Sequence, residues 1–236
     1  MTKISSRFFF QCKSINIIIF CFFLFQHNSI ILSQELPLGY ISYFSDKCHN
    51  NNFFKTWDTD KPENWNIISL KNGPALRGIS EDSLMISYIP DTRGILSNLI
   101  FGDFILEFEF KTSAKQKSDS SGFYFLGPVK TSYDYYAVAF SEDSLLFYFI
   151  EDSITNKIAV KPALLNKAEW NKVRIKRDIL ARELRITINK NSEDITFSDR
   201  KLVMGYIGFG THDATSYLKN INVWAPTSII DTTFHW

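Results

Sequence analysis

The side chains with the clearest chemical potential are Glu107 and Glu109, two residues apart in Phe104-Ile105-Leu106-Glu107-Phe108-Glu109-Phe110-Lys111. In a strand such residues project from the same face, about 7 Å apart along the chain. Paired carboxylates at separations of this order serve as acid and base in glycosidic chemistry. The competing arrangement is a solvated strand face on which Lys111 balances the two negative charges.

Tyrosines form the second group: Tyr124, Tyr133, Tyr135, Tyr136 and Tyr148. A tyrosine ring stacks on the flat C–H face of a sugar and keeps a hydroxyl for hydrogen bonding. Asp134, between Tyr133 and Tyr135, would accept from sugar hydroxyls. The sequence therefore assigns Tyr133, Asp134 and Tyr135 to ligand binding, and Tyr136 and Tyr148 to core filling.

His212-Asp213 follows Gly210-Thr211. A histidine beside a carboxylate can act as acid and base, bind ligand or hold a metal. The two lie in an expected loop, where Asp213 would stabilise the turn and His212 would stand exposed. No histidine cluster supports zinc. No cofactor is expected, although calcium, which needs only oxygens from scattered loops, stays open. Lys172, Arg174 and Lys176 share one strand face, which reads as a solvated convex surface beside Arg185 and Thr187. Trp170 starts that strand as a packing anchor. No nucleophile elbow, phosphate loop or Cys–His pairing is evident.

The elements that position these residues are strands. Apolar and polar residues alternate through 170–176, 183–188, 195–197, 206–210 and 217–223, and a period of two means one buried and one wet face. Further strands are expected at 65–69, 83–88, 94–100 and 104–111. Tyr135–Phe140 and Leu145–Ile150 are apolar on nearly every residue, so they should sit centrally with both faces covered. A helical turn is expected only around 162–169. Short strands at this density predict an all-β jelly roll, a sandwich of two antiparallel sheets.

Residues 1–33 read as a signal peptide: Lys3, Arg7 and Lys13 precede the apolar run 17–25, which is too short for a comfortable membrane span. Export to the periplasm or outside the cell follows, with no stable membrane span. Net charge is +1; loss of the three basic leader residues leaves about −2. Without a dense basic stripe, nucleic acid is not an expected partner. Cys12 and Cys21 fall in the leader, so Cys48 is left without a partner and no disulfide framework forms. The expected organisation is an N-terminal loop segment at 34–52, one sandwich domain at 53–225 and a tail at 226–236.

From Phe101-Gly102-Asp103-Phe104 through Lys111 and Ser120-Ser121-Gly122-Phe123 the chain resembles the concanavalin A-like lectin/glucanase superfamily. Within it, the 3-keto-disaccharide hydrolase domain family is the nearer likeness. Glu169-Trp170-Asn171-Lys172-Val173, Gly205-Tyr206-Ile207-Gly208-Phe209-Gly210 and Tyr217-Leu218-Lys219-Asn220-Ile221-Asn222-Val223 extend the likeness to Trp224. Two positions depart from the family's pattern, Ser120 for asparagine and Lys111 for arginine; if the family's residues there touch ligand, Ser120 and Lys111 are binding candidates here. The Glu-x-Asp-x-x-Glu strand of laminarinase-type relatives is not present, since Glu109 is the third residue and Thr112 the sixth counted from Glu107. The resemblance implies a domain that binds a glycan on its concave sheet face. It leaves two alternatives: a hydrolase or lyase acting on 3-keto-glycosides through Glu107 and Glu109, and a non-catalytic adhesion domain.

Overall fold

The alternating pattern becomes strand after strand in the computed structural model, which describes residues 36–48, 53–80, 90–114, 121–141, 143–166, 168–189, 193–231 and 233. The chain divides into two compact units, Met1–Leu38 and Gly39–Trp236, and every described strand belongs to the second. The expected leader, the 83–88 strand and Ser120 lie outside the described residues.

In chain order the first strands are β1 (Ile41–Asp46), β2 (Trp57–Thr59), β3 (Trp65–Leu70), β4 (Gly73–Ile79), β5 (Thr92–Leu96) and β6 (Leu99–Phe101). Next come β7 (Phe104–Ala114), β8 (Gly122–Val129), β9 (Tyr135–Phe140), β10 (Ser144–Glu151) and β11 (Ile154–Pro162). The last are β12 (Asn171–Asp178), β13 (Glu183–Ile188), β14 (Ile195–Ser198), β15 (Tyr206–His212), β16 (Ala214–Ala225) and β17 (Ser228–Ile230). An eight-stranded sheet runs β14-β13-β12-β7-β16-β4-β3, with β1 also paired to β16. A seven-stranded sheet runs β11-β10-β9-β8-β15-β5-β2, and β17 pairs with β6. Neighbours are antiparallel throughout.

One core fills the space between the sheets. On β7, Phe104, Leu106, Phe108 and Phe110 turn inward, which leaves Glu107, Glu109 and Lys111 on the opposite face. From β8 and β15, Phe123 and Phe209 meet them: Phe110 and Phe123 stack at 4.7 Å, and Phe108 and Phe209 meet edge-on at 5.1 Å. Each buried ring stabilises the sandwich by roughly 2–3 kcal/mol, and favourable ring pairs add about 1 kcal/mol. Gly78 is needed because the Trp65 ring lies across it; a Cβ there would sit 2.7 Å from the indole.

β9 and β10 are buried on both faces, as their continuous apolar sequences predict. Tyr136, Val138 and Phe140 enter the main core, whereas Tyr135, Ala137 and Ala139 enter a second cluster on the other face of the seven-stranded sheet, with Tyr124, Tyr148 and Tyr206. Tyr136 and Tyr148 are thus buried, as expected.

Several boundaries differ from the sequence reading. The 34–52 segment contains β1, so the eight-stranded sheet takes in residues ahead of position 53. A strand at 94–100 breaks at Ser97-Asn98, where Asn98 takes φ 67°, and becomes β5 and β6. No described helix occupies 162–169: Pro162 ends β11, and the Glu169 amide closes a turn onto the Asn166 carbonyl. A single helical turn forms instead at Phe53–Thr56. The tail is tied to the sandwich through β17.

Candidate functional site

Asp60, just after β2, and Arg93, on β5, form the centre of the best-built polar site. The Arg93 Nε donates to Asp60 Oδ2 at 2.8 Å, and the Arg93 backbone N–H donates to Asp60 Oδ1 at 2.7 Å. A third bond runs from the Asp60 amide to the Arg93 carbonyl at 3.1 Å. The guanidinium also reaches the β8–β9 loop, donating through Nη1 to the Ser132 carbonyl at 3.4 Å and Tyr135 Oη at 3.5 Å. Burial alone would lower the Arg93 pKa, but Tyr135 and Asp60 outweigh it and hold the guanidinium above its ordinary value. Burial likewise pushes the Tyr135 phenol upward, against the pull of Arg93. A permanently charged donor is thereby fixed beside a neutral phenol.

The loop is closed by its own hydrogen bonds. Lys130 donates its amide to the Asp134 carbonyl at 2.9 Å, and Thr131 Oγ1 accepts from the Tyr133 and Asp134 amides at 3.2 and 3.0 Å. This small turn presents Tyr133 to solvent at 60% exposure. Asp134 accepts the Asp152 amide at 3.2 Å. The three residues assigned to ligand binding therefore divide: Tyr133 is open, Asp134 is half-buried, and Tyr135 is wholly enclosed.

Glu107 and Glu109 share the outer face of the eight-stranded sheet, and each is engaged. Glu107 accepts from Arg174 on β12. Glu109 accepts from Asn220 Nδ2 at 3.0 Å and lies 3.4 Å from Lys219 Nζ. Lys219 in turn sits 4.0 Å above the Trp170 ring. Arg174 and Lys219, rather than Lys111, balance the two carboxylates. Trp170 packs under a lysine at the edge of that charged face.

His212 is a correction. It ends β15 and is 3% exposed, not displayed on a loop. The burial is possible because Nδ1 meets Asp91 Oδ1 at 3.1 Å. Ser80 Oγ lies 2.6 Å from both Asp91 oxygens and accepts the Asp213 amide at 2.7 Å. Asp213 does make the turn, with φ 42°, and accepts from Ser121 Oγ at 3.2 Å. Burial raises the Asp91 pKa, but hydrogen bonds from His212 and Ser80 and the charge of His212 lower it further, leaving it below its ordinary value. Among the described residues, no group of three His, Cys, Asp or Glu side chains is placed to hold a metal ion.

Asp60 and Arg93 were not singled out by the sequence. One signal was present: Arg93 is a lone charge in Thr92-Arg93-Gly94-Ile95-Leu96, a strand otherwise buried at four of its five positions.

Two antiparallel sheets of eight and seven strands closed over an aromatic core define a concanavalin A-like β-sandwich fold. Solved structures of that fold superpose on the chain. The carbohydrate-binding module CBM66 from Bacillus subtilis matches with TM-score 0.52 and 16% identity, over 70% of this chain and 93% of its own. Peanut lectin, solved with a nine-residue peptide, matches with TM-score 0.53 and 13% identity over 82% and 99%. A Bacillus subtilis protein of unknown function with a galectin-like fold matches with TM-score 0.54 and 10% identity over 80% and 97%. No family model and no curated protein matches the sequence. Among the described residues no helix is long and apolar enough to cross a membrane.

Proposed function

We propose that this domain recognises carbohydrate, with the β8–β9 loop as the contact. The observation that carries the reading is the exposed Tyr133 ring on a turn anchored to the Asp60–Arg93 pair. A rigidly mounted aromatic gives a sugar its stacking surface, and Asp134 beside it supplies acceptors for hydroxyls. The sandwich fold shared with CBM66 and peanut lectin supports the reading. Export through the leader would place the domain where glycans are met.

The test is binding of the purified chain to a panel of neutral oligosaccharides by calorimetry. Tyr133→Ala and Asp134→Asn should each weaken the best ligand by about tenfold, roughly one stacking or hydrogen-bonding contact, while Glu107→Gln leaves it unchanged. Absence of binding across the panel by correctly folded protein would sink the proposal. Mass spectrometry of 3-keto-disaccharides incubated with the chain separates the hydrolytic alternative. Product that vanishes in Glu107→Gln would establish an enzyme; no product leaves recognition.

A further inference from the structure

The outer face of the eight-stranded sheet carries a row that the loop site does not use. Register aligns Lys111 on β7 with Tyr217 on β16, Tyr217 with Arg77 on β4, and Arg77 with Asn66 on β3. All four point outward, because the adjacent residues Phe110, Leu218, Leu76 and Ile67 form the matching inward row against the core. Directly opposed side chains have Cβ atoms about 5 Å apart. Tyr217 therefore stands between a lysine and an arginine at strand spacing. Asn66 Oδ1 accepts from Arg77 Nε at 2.9 Å and steadies the guanidinium.

Charge on this face is uneven. In the neighbouring row Glu109 pairs with Lys219 and accepts from Asn220, with Lys172 on its other side, and in the next Glu107 pairs with Arg174. Beyond Lys111 and Tyr217 the following pair is Ser113 with Thr215. Neither Lys111 nor Arg77 forms an ion pair with a described carboxylate, and all three residues of the Lys111–Tyr217–Arg77 row are partly exposed. Two cations without a described carboxylate partner flank one ring, and together they form an anion site.

We propose that Lys111, Tyr217 and Arg77 bind an acidic sugar of a polysaccharide, its ring stacked on Tyr217 and its carboxylate held by the two cations. Arginine offers a planar fork that matches a carboxylate in two-point contact, and the lysine adds a point charge from the other side. A uronate unites the two features that the row displays, a C–H face for an aromatic and a carboxylate at its rim. Nucleic acid suits the site less well, because binding to its backbone draws on many successive phosphate contacts and this row supplies only two cations. The site is separate from Tyr133 and stands whether or not the loop takes a neutral sugar.

Affinity electrophoresis of the full chain through gels containing polygalacturonate tests it, with dextran and single-stranded DNA gels alongside. Retardation by polygalacturonate but not by dextran is expected. Arg77→Gln, Lys111→Gln and Tyr217→Ala should each weaken retention about tenfold, in line with loss of one charged or stacking contact. Lys176→Gln, elsewhere on the same face, should leave it unchanged, with thermal melting confirming that each variant folds. No retardation by polygalacturonate overturns the proposal. So does retention by DNA of equal strength, or a loss in Lys176→Gln matching that in Arg77→Gln, which would mark diffuse electrostatics.

Discussion

The two oxygens of Asp60 hold both the side chain and the backbone of Arg93, at 2.8 and 2.7 Å. One carboxylate thus fixes the start of β5 and the direction of the guanidinium that reaches Ser132 and Tyr135. Removing either partner leaves the other largely buried without its match, at a cost of about 1–3 kcal/mol. Asp60→Asn should lower the unfolding free energy by that order in urea denaturation. Arg93→Ala should further loosen the 130–134 loop, seen as faster amide exchange at Lys130 and Asp134. Unchanged exchange in Arg93→Ala would show that the loop holds its shape without the anchor.

Acid should weaken the fold through Asp91. Its folded pKa lies below the ordinary carboxylate value of 3.8, so the unfolded chain takes up the proton first as pH falls. The stability it contributes is fully present above about 4 and is lost as pH drops through the lower folded value. Asp91→Asn should lower the melting temperature at neutral pH and flatten the acid limb of the curve below pH about 4. A variant whose acid limb keeps the wild-type slope would show that other carboxylates govern acid unfolding.

Period-two reasoning reads what is local and misses what is not. The inward Phe104, Leu106, Phe108 and Phe110 were legible because alternation reports the face directly, and β9 and β10 because unbroken apolar runs report burial on both sides. β11 was missed because Thr155-Asn156-Lys157 interrupts the pattern and a bulge at Ile158 shifts its register; a bulge near Tyr43 obscures β1 in the same way. The site partners lie far apart in sequence, Asp60 and Arg93 by 33 residues and Asp91 and His212 by 121. Only strand pairing brings them together. Reading His212 with its sequence neighbour Asp213 therefore named the wrong carboxylate.

Cys48 should behave as a structural thiol. It is 1% exposed, its Sγ donates to the Leu218 carbonyl at 3.6 Å, and burial, reinforced by Asp46, pushes its pKa to about 12. Only the thiolate alkylates readily. Iodoacetamide at pH 8 should leave the Cys48-containing peptide unmodified in native protein and modify it fully in urea. Rapid native labelling at Cys48 would contradict this burial.

Arg177 and Asp199 make the strongest stability prediction. Arg177 points inward from β12, pairs with Asp199 at 2.5 Å, and donates to the Gly102 and Val203 carbonyls at 2.8 Å each and to that of Leu202. One side chain thus ties the chain ahead of β7 to the segment leading into β15. Both partners are almost fully enclosed, at 1% and 3% side-chain exposure. Breaking a buried pair by deleting one member costs about 3–5 kcal/mol, because the remaining charge stays in the interior. Arg177→Met also removes donors from three carbonyls, so it should destabilise at least as much as Asp199→Ala. In a double-mutant cycle by urea denaturation, the second substitution should add less than it costs alone. Strict additivity would mean that Arg177 acts through the carbonyls of Gly102, Leu202 and Val203, and that Asp199 contributes independently of it.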